Sequence, residues 1–240
     1  MQENNPQQVS NPIQAASEIF YKPTAVFDAI AVKDNWSWIP FILVTVLSIV
    51  PTYLYFNLVD FQWYTNMIAT AQMPDASPAE TEAFANAMEL GSTQMISVIG
   101  LAIGLPIIMA ILAGYYTLWT RNDEKSIHGF TDWYGAMWWI AMPAIINALA
   151  SCIYLTLQAP GSEISQAGLA PLSLAFLAGI DMESTWFGLT SSLRIDSIWT
   201  ILLGALCLKS WTNFSFNKSL FVSALPSVLI YTVTALFALG

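Results

Sequence analysis

Residues 95–119 read MISVIGLAIGLPIIMAILAGYYTLW and contain no Asp, Glu, Lys, Arg or His. An α-helix rises about 1.5 Å per residue, so roughly 20 apolar residues cross the roughly 30 Å hydrocarbon core of a bilayer. This stretch is long enough to cross, and it is not alone. Trp38–Asn57, Tyr134–Leu157 and Leu220–Leu239 are equally free of charged side chains. Of the 240 residues, 56% are hydrophobic and 10% charged, against about 25% charged in an average soluble domain. These features predict an all-α fold, a polytopic membrane helix bundle with no soluble domain attached.

A fifth crossing, at 195–211, is weaker, because Asp196 and Lys209 leave an uncharged core of only Ser197–Leu208, roughly 18 Å of helix. The basic residues decide the matter. With five spans and a cytoplasmic start, Lys22, Lys33, Arg121, Lys125, Lys209 and Lys218 fall inside and only Arg194 outside. Without that crossing, Lys209 and Lys218 join Arg194 and most of the bias is lost. The positive-inside rule thus favours five transmembrane helices, at about 38–57, 95–119, 134–157, 195–211 and 220–239, with the N-terminus cytoplasmic and the C-terminus extracytoplasmic. Trp36, Trp38, Trp119, Trp133 and Trp211 then form an inner interfacial belt, with Trp63 and Trp186 marking the outer surface. The opening Met1-Gln2-Glu3-Asn4-Asn5 lacks the basic region of a signal peptide, so the first span is expected to stay as an anchor.

Residues 1–10 are polar and expected to be disordered. Residues 11–35 are expected to form N-terminal amphipathic helices at the cytoplasmic face. Asn11-Pro12 is a cap followed by Pro at the first helical position, and Lys22-Pro23 restarts the pattern. Ile19, Phe20, Val26 and Phe27 supply an apolar face for the inner membrane surface or the bundle. Residues 36–240 make up the five-span membrane domain. Its extracytoplasmic loop contains Ser77-Pro78-Ala79-Glu80, a capping box that starts a helix running from Pro78 to about Leu90 and ending at Gly91 in the left-handed conformation. The apolar run 167–180 is too short to cross and contains Pro171, which leaves interfacial and re-entrant placements open. A cavity is expected beneath this run if anywhere.

Gly100 and Gly104 are four apart, and Ala110 and Gly114 repeat that spacing. Small residues let helix backbones approach in lipid, so this face is expected to pack, within the chain in preference to another copy. Asn147 and Ser151, also four apart, can hydrogen-bond a neighbouring helix, each such bond being worth about 0.6 kcal/mol. Pro51, Pro106 and Pro143 predict kinks in the first three spans. Nothing in the sequence supplies chemistry. His128 is the only histidine, Cys152 and Cys207 lie at different predicted depths, and no phosphate loop, His-Glu-x-x-His or nucleophile elbow is present. No catalytic residue, cofactor or metal ligand is therefore expected. Membrane lipids are the expected partners, with a membrane protein or a second copy as the further possibility and no nucleic acid.

Three passages carry a resemblance. Asn11-Pro12 with Ile19-Phe20, Pro23 and Val26-Phe27 is the first. Phe130 through Trp138 to Pro143 is the second, and the third is Ile195-Asp196-Ser197-Ile198-Trp199 through Lys209, Lys218 and Leu225-Pro226. Together they resemble the Yip family (Ypt/Rab-interacting proteins) of five-span membrane proteins, in its bacterial branch; Met73 and the Ser77-Pro78-Ala79-Glu80 helix are similar too. The resemblance implies a polytopic bundle with a cytoplasmic N-terminus. Eukaryotic members are associated with small Rab-type GTPases and with vesicle, Golgi or endoplasmic reticulum organisation. Here the cytosolic segment is short and a bacterium lacks that system, so the GTPase role does not carry over. The expectation is a non-enzymatic protein of the bacterial inner membrane that organises or scaffolds membrane components. The alternative is a passive carrier or channel for a small or lipophilic solute.

Overall fold

Caps and prolines set the first elements. In the computed structural model, which describes residues 9–73 and 75–239, the Asn11 side chain accepts from the backbone N–H of Gln14 at 2.8 Å and opens helix α1, Pro12–Glu18. Pro23 occupies the first position of α2, Pro23–Ile30. The disorder expected over 1–10 falls mostly on residues outside those described, although Val9 is buried among apolar neighbours.

The rest is helical too, with no strand among the described residues. Helix α3 spans Trp38–Leu58, α4 Phe61–Gln72, α5 Pro78–Ala87, α6 Leu90–Thr120, α7 Phe130–Ile140 and α8 Ala144–Thr156. A 3₁₀ turn, Gln166–Leu169, and two short helices, α9 (Leu174–Ala178) and α10 (Phe187–Ser192), precede α11 (Ile195–Trp211) and α12 (Phe216–Leu239). Four stretches are long and apolar enough to cross a membrane: Trp38–Leu58, Leu90–Thr120, Phe130–Thr156 and Phe216–Leu239. The fifth predicted crossing corresponds to α11, a helix of 17 residues.

Several local expectations change. Gly91 does not end the loop helix: α5 stops at Ala87, Met88 is extended, and Gly91 lies inside α6, whose first turn Glu89 supports by accepting from Thr93 N–H and the Ser92 hydroxyl. The capping box itself forms, with Ser77 and Glu80 bonded reciprocally, which holds the Glu80 carboxyl below the usual carboxylate range. Helix α4 was not foreseen, although Asp60 announces it by capping Trp63 N–H at 3.0 Å. Pro51 and Pro106 lie inside unbroken helices, whereas Pro143 separates α7 from α8. There the backbone tightens into bonds three residues apart, Met142 to Trp139 and Ala144 to Ala141, because Pro143 has no N–H to continue the ladder.

Contacts divide the chain into two units. The first comprises Met1–Val46, Gly104–Ile145 and Ser197–Val228; the second comprises Leu47–Ile103, Ile146–Asp196 and Leu229–Gly240. The core of the first holds Ile19, Val26, Phe27, Trp133, Trp139 and Leu208. In the second, Tyr55, Phe56 and Tyr64 pack edge to face around Leu155 and Ile164.

Candidate functional site

In the first unit, two connections and helix α2 are tied together by polar contacts. Lys125 donates from Nζ to the carbonyls of Ser210 at 2.7 Å and Thr212 at 3.4 Å, setting a cation on the C-terminal carbonyls of α11. The Asp123 carboxylate accepts from Asn213 N–H at 3.0 Å. Trp211 Nε1 donates to Phe27 O at 3.0 Å, and the Ser210 hydroxyl donates to Asp28. The polar turn between α6 and α7 thus clamps the α11–α12 turn. Lys22, Lys33, Arg121, Lys125, Lys209 and Lys218 all belong to this unit, and Arg194 to the other.

His128 stacks on Trp211, with ring centroids 3.9 Å apart. Burial lowers its imidazole below the ordinary histidine value, and the Asp132 carboxylate, 3.9 Å away, acts in the opposite direction. A lowered pKa means that the unfolded chain binds the proton more readily. The stabilising effect of neutral His128 is therefore complete above the ordinary value and lost as pH falls through the folded one. His128→Phe keeps a ring on Trp211. It is expected to flatten the fall in melting temperature between about pH 7.5 and pH 5.5 that the wild type shows.

The same unit contains an open cavity of about 810 Å³. Its polar lining comes from the loop after α2 and the start of α7: Lys33, Asp34, Asn35, Ser37, Thr131 and Asp132. Trp38, Phe41, Pro106, Tyr134 and Trp138 supply an apolar wall, in which Phe41 and Trp138 meet edge to face at 4.8 Å. Two backbone features shape it. Asn35 turns the loop with φ of 65°, a left-handed conformation that Asn tolerates better than most residues. Gly135 lets the loop approach α7, since a Cβ there would lie 2.7 Å from Ser37 Oγ, the atom that accepts from Trp139 Nε1 at 3.2 Å.

In the second unit, Asn147 and Ser151 serve a loop and not a helix. Asn147 Nδ2 donates to Leu169 O and its Oδ1 accepts from Leu172 N–H, both at 3.2 Å. The Ser151 hydroxyl donates to Gly168 O at 2.8 Å. Gly168 sits so close to Tyr154 that a Cβ would collide with the ring. The carbonyls of Gly168 and Leu169 and the N–H of Leu172 are thereby satisfied by side chains of α8. The large cavity is in the first unit, and Asn147, Ser151 and Tyr154 occupy the space beside the run where a cavity was expected. Asn147→Leu leaves a buried N–H and a carbonyl unpaired and is expected to cost about 2 kcal/mol. Limited proteolysis within 160–175 should accelerate in that variant and not in Ser151→Thr.

The remaining predicted residues divide. Ile19, Val26 and Phe27 are fully buried and Phe20 partly so, all within the first unit, so the amphipathic face lies against the bundle. Gly100, Gly104 and Gly114 have open space where a Cβ would be, and the close contact expected within the chain is absent among the described residues. Besides Gly135 and Gly168, the glycine that permits a close approach is Gly204. Its added Cβ would lie 2.5 Å from Tyr116 Oη and closer still to Ser223 Oγ. Cys152 and Cys207 are free thiols, and no group of three or more His, Cys, Asp or Glu able to hold a metal occurs among the described residues.

The Yip1 domain family model matches residues 17–237. The chain belongs to the Yip1 domain family. The match takes in α2 through nearly all of α12, so the cavity and the loop held by Asn147 and Ser151 both lie inside the Yip1 domain. No curated protein and no solved structure matches the chain. The match and the apolar helices together make this Yip1 domain chain an integral membrane protein.

Proposed function

We propose that the chain is a non-enzymatic protein of a bacterial cytoplasmic membrane that organises or scaffolds other membrane components. The observation that carries this reading is where the polar groups of its helices are used. Tyr55, Tyr115, Asn147, Ser151 and Ser223 each donate to a carbonyl of the same chain. Helix α6, by contrast, is only 6% buried along its most apolar part and carries Gly100, Gly104 and Gly114 with open space beside them. Such a surface offers packing to a neighbour in lipid and little chemistry.

Five crossings with a cytoplasmic N-terminus belong to the same proposal. In its support, the chain passes from one unit to the other at 46/47, 103/104, 145/146, 196/197 and 228/229. Each change lies inside one of the five predicted spans. A photo-crosslinking residue at Ile103 or Ile107, both exposed on α6, should give a discrete protein adduct in cells that Gly104→Leu removes. Lipid adducts alone would contradict the organising role. The cavity is the observation that favours the second reading, a passive carrier for a small or lipophilic solute. A carrier would move solute in liposomes that contain no other protein, and Thr131→Trp at the cavity would slow it.

A further inference from the structure

We infer that the cavity of the first unit binds the headgroup of a phospholipid bearing a primary ammonium, a phosphoethanolamine lipid, with its acyl chains against the aromatic wall. The lining supplies partners for both parts of an amphiphile: Lys33, Asp34 and Asp132 are charged, and Trp38, Phe41 and Trp138 are aromatic. A cavity of about 810 Å³ lies within the range of roughly 300–1,000 Å³ typical of sites for small ligands.

Charge then selects among headgroups. One cation and two carboxylates line the cavity. A phosphate has Lys33 to meet it, and an ammonium has Asp34 and Asp132. Lys33 and Asp34 make no ion pair with each other or with any described residue, and among the described residues Asp132 has only the His128 imidazole, charged only when protonated, within ion-pair distance. One Asp132 oxygen accepts from Gly129 N–H at 2.8 Å, which leaves acceptor capacity on the carboxylate. A purely anionic headgroup would meet a lining with an excess of negative charge. Trimethylammonium has no N–H to give, whereas a primary ammonium donates charge-assisted hydrogen bonds to carboxylates. This site shares no residue with the exposed Ile and Gly face of α6, so its failure would leave the organising role standing, and the reverse also holds.

The full-length protein would be reconstituted with equal amounts of phosphatidylethanolamine, phosphatidylglycerol and phosphatidylcholine, then examined by native mass spectrometry after mild delipidation. The expected result is one retained phosphatidylethanolamine per chain, enriched about tenfold over the other two, the effect of one charge-assisted hydrogen bond. Asp34→Asn with Asp132→Asn, in which the amide oxygen can still accept from Gly129 N–H, should return the retained lipid to the bulk ratio. Thr131→Trp, a change at an exposed position of the lining, should abolish retention without altering the melting temperature. Bulk ratios in the wild type, preference for the anionic lipid, or equal retention of the choline lipid would overturn the inference. So would unchanged enrichment in variants that melt as the wild type does. Should the double variant fail to fold, Thr131→Trp and Lys33→Gln decide.

Discussion

Gly204→Leu is expected to unfold the first unit at temperatures where the wild type is stable. Even an added Cβ at this position collides with Tyr116 Oη and Ser223 Oγ. Neither neighbour can move freely. Tyr116 is buried against Trp133, ring centroids 5.3 Å apart, and the Ser223 hydroxyl donates to Ile201 O at 2.8 Å. Overpacking costs about 1–3 kcal/mol, and turning Ser223 away gives up a hydrogen bond of about 1 kcal/mol. A loss of about 3 kcal/mol is a large part of the roughly 5–15 kcal/mol that stabilises a typical fold. Cys207, fully buried one turn further along α11, reports the outcome. Its thiol should react with a labelling reagent many degrees earlier on heating in Gly204→Leu, with Gly204→Ala in between. Protection equal to that of the wild type would show that α11 has room to spare.

Neutralising Arg194 is expected to have the second largest effect. Arg194 grips Asp196 with two donors, Nε to Oδ1 at 2.9 Å and a terminal nitrogen to Oδ2. The Asp196 side chain is 4% exposed and that of Arg194 27%. Removing one partner of a fully buried pair costs about 3–5 kcal/mol; water reaching Arg194 reduces this to about 2 kcal/mol. Arg194→Gln should lose that amount, whereas adding Asp196→Asn should restore part of it, because the carboxylate charge that Arg194 balances is then gone. A double-mutant cycle from melting curves measures the coupling, and simple additivity of the two changes would contradict the pairing.

Local signals were the legible ones. The uncharged runs, Asn11 before Pro12, Pro23, and the Ser77–Glu80 box each act within a few residues, and the fold contains them. The partner of a helix face was not legible, because lipid and protein interior are both apolar and no polarity contrast separates the two sides of a span. Thus Gly100 and Gly104, four apart, advertised a contact that none of the described residues makes. Gly204, whose spacing of four from Thr200 is no stronger a signal than theirs, makes one because Tyr116 and Ser223 arrive from distant segments. Asn147 and Ser151 carried the right spacing for one helix face, but their partners, Gly168, Leu169 and Leu172, come from an irregular loop that periodicity does not describe. The cavity was hidden for the same reason, since residues 30–38 and 131–138 meet only in the folded chain.

The proposed topology depends on α11 crossing the membrane, so that Lys209 and Lys218 return to the cytoplasmic side. Single cysteines at Thr185 and Lys218, both exposed, would be placed in a chain lacking Cys152 and Cys207. A membrane-impermeant thiol reagent would then be applied to intact and to permeabilised cells. Cys at 185 is expected to react in intact cells and Cys at 218 only after permeabilisation. Labelling of both in intact cells would mean that α11 does not cross, and would contradict the five-span topology on which the rest is built.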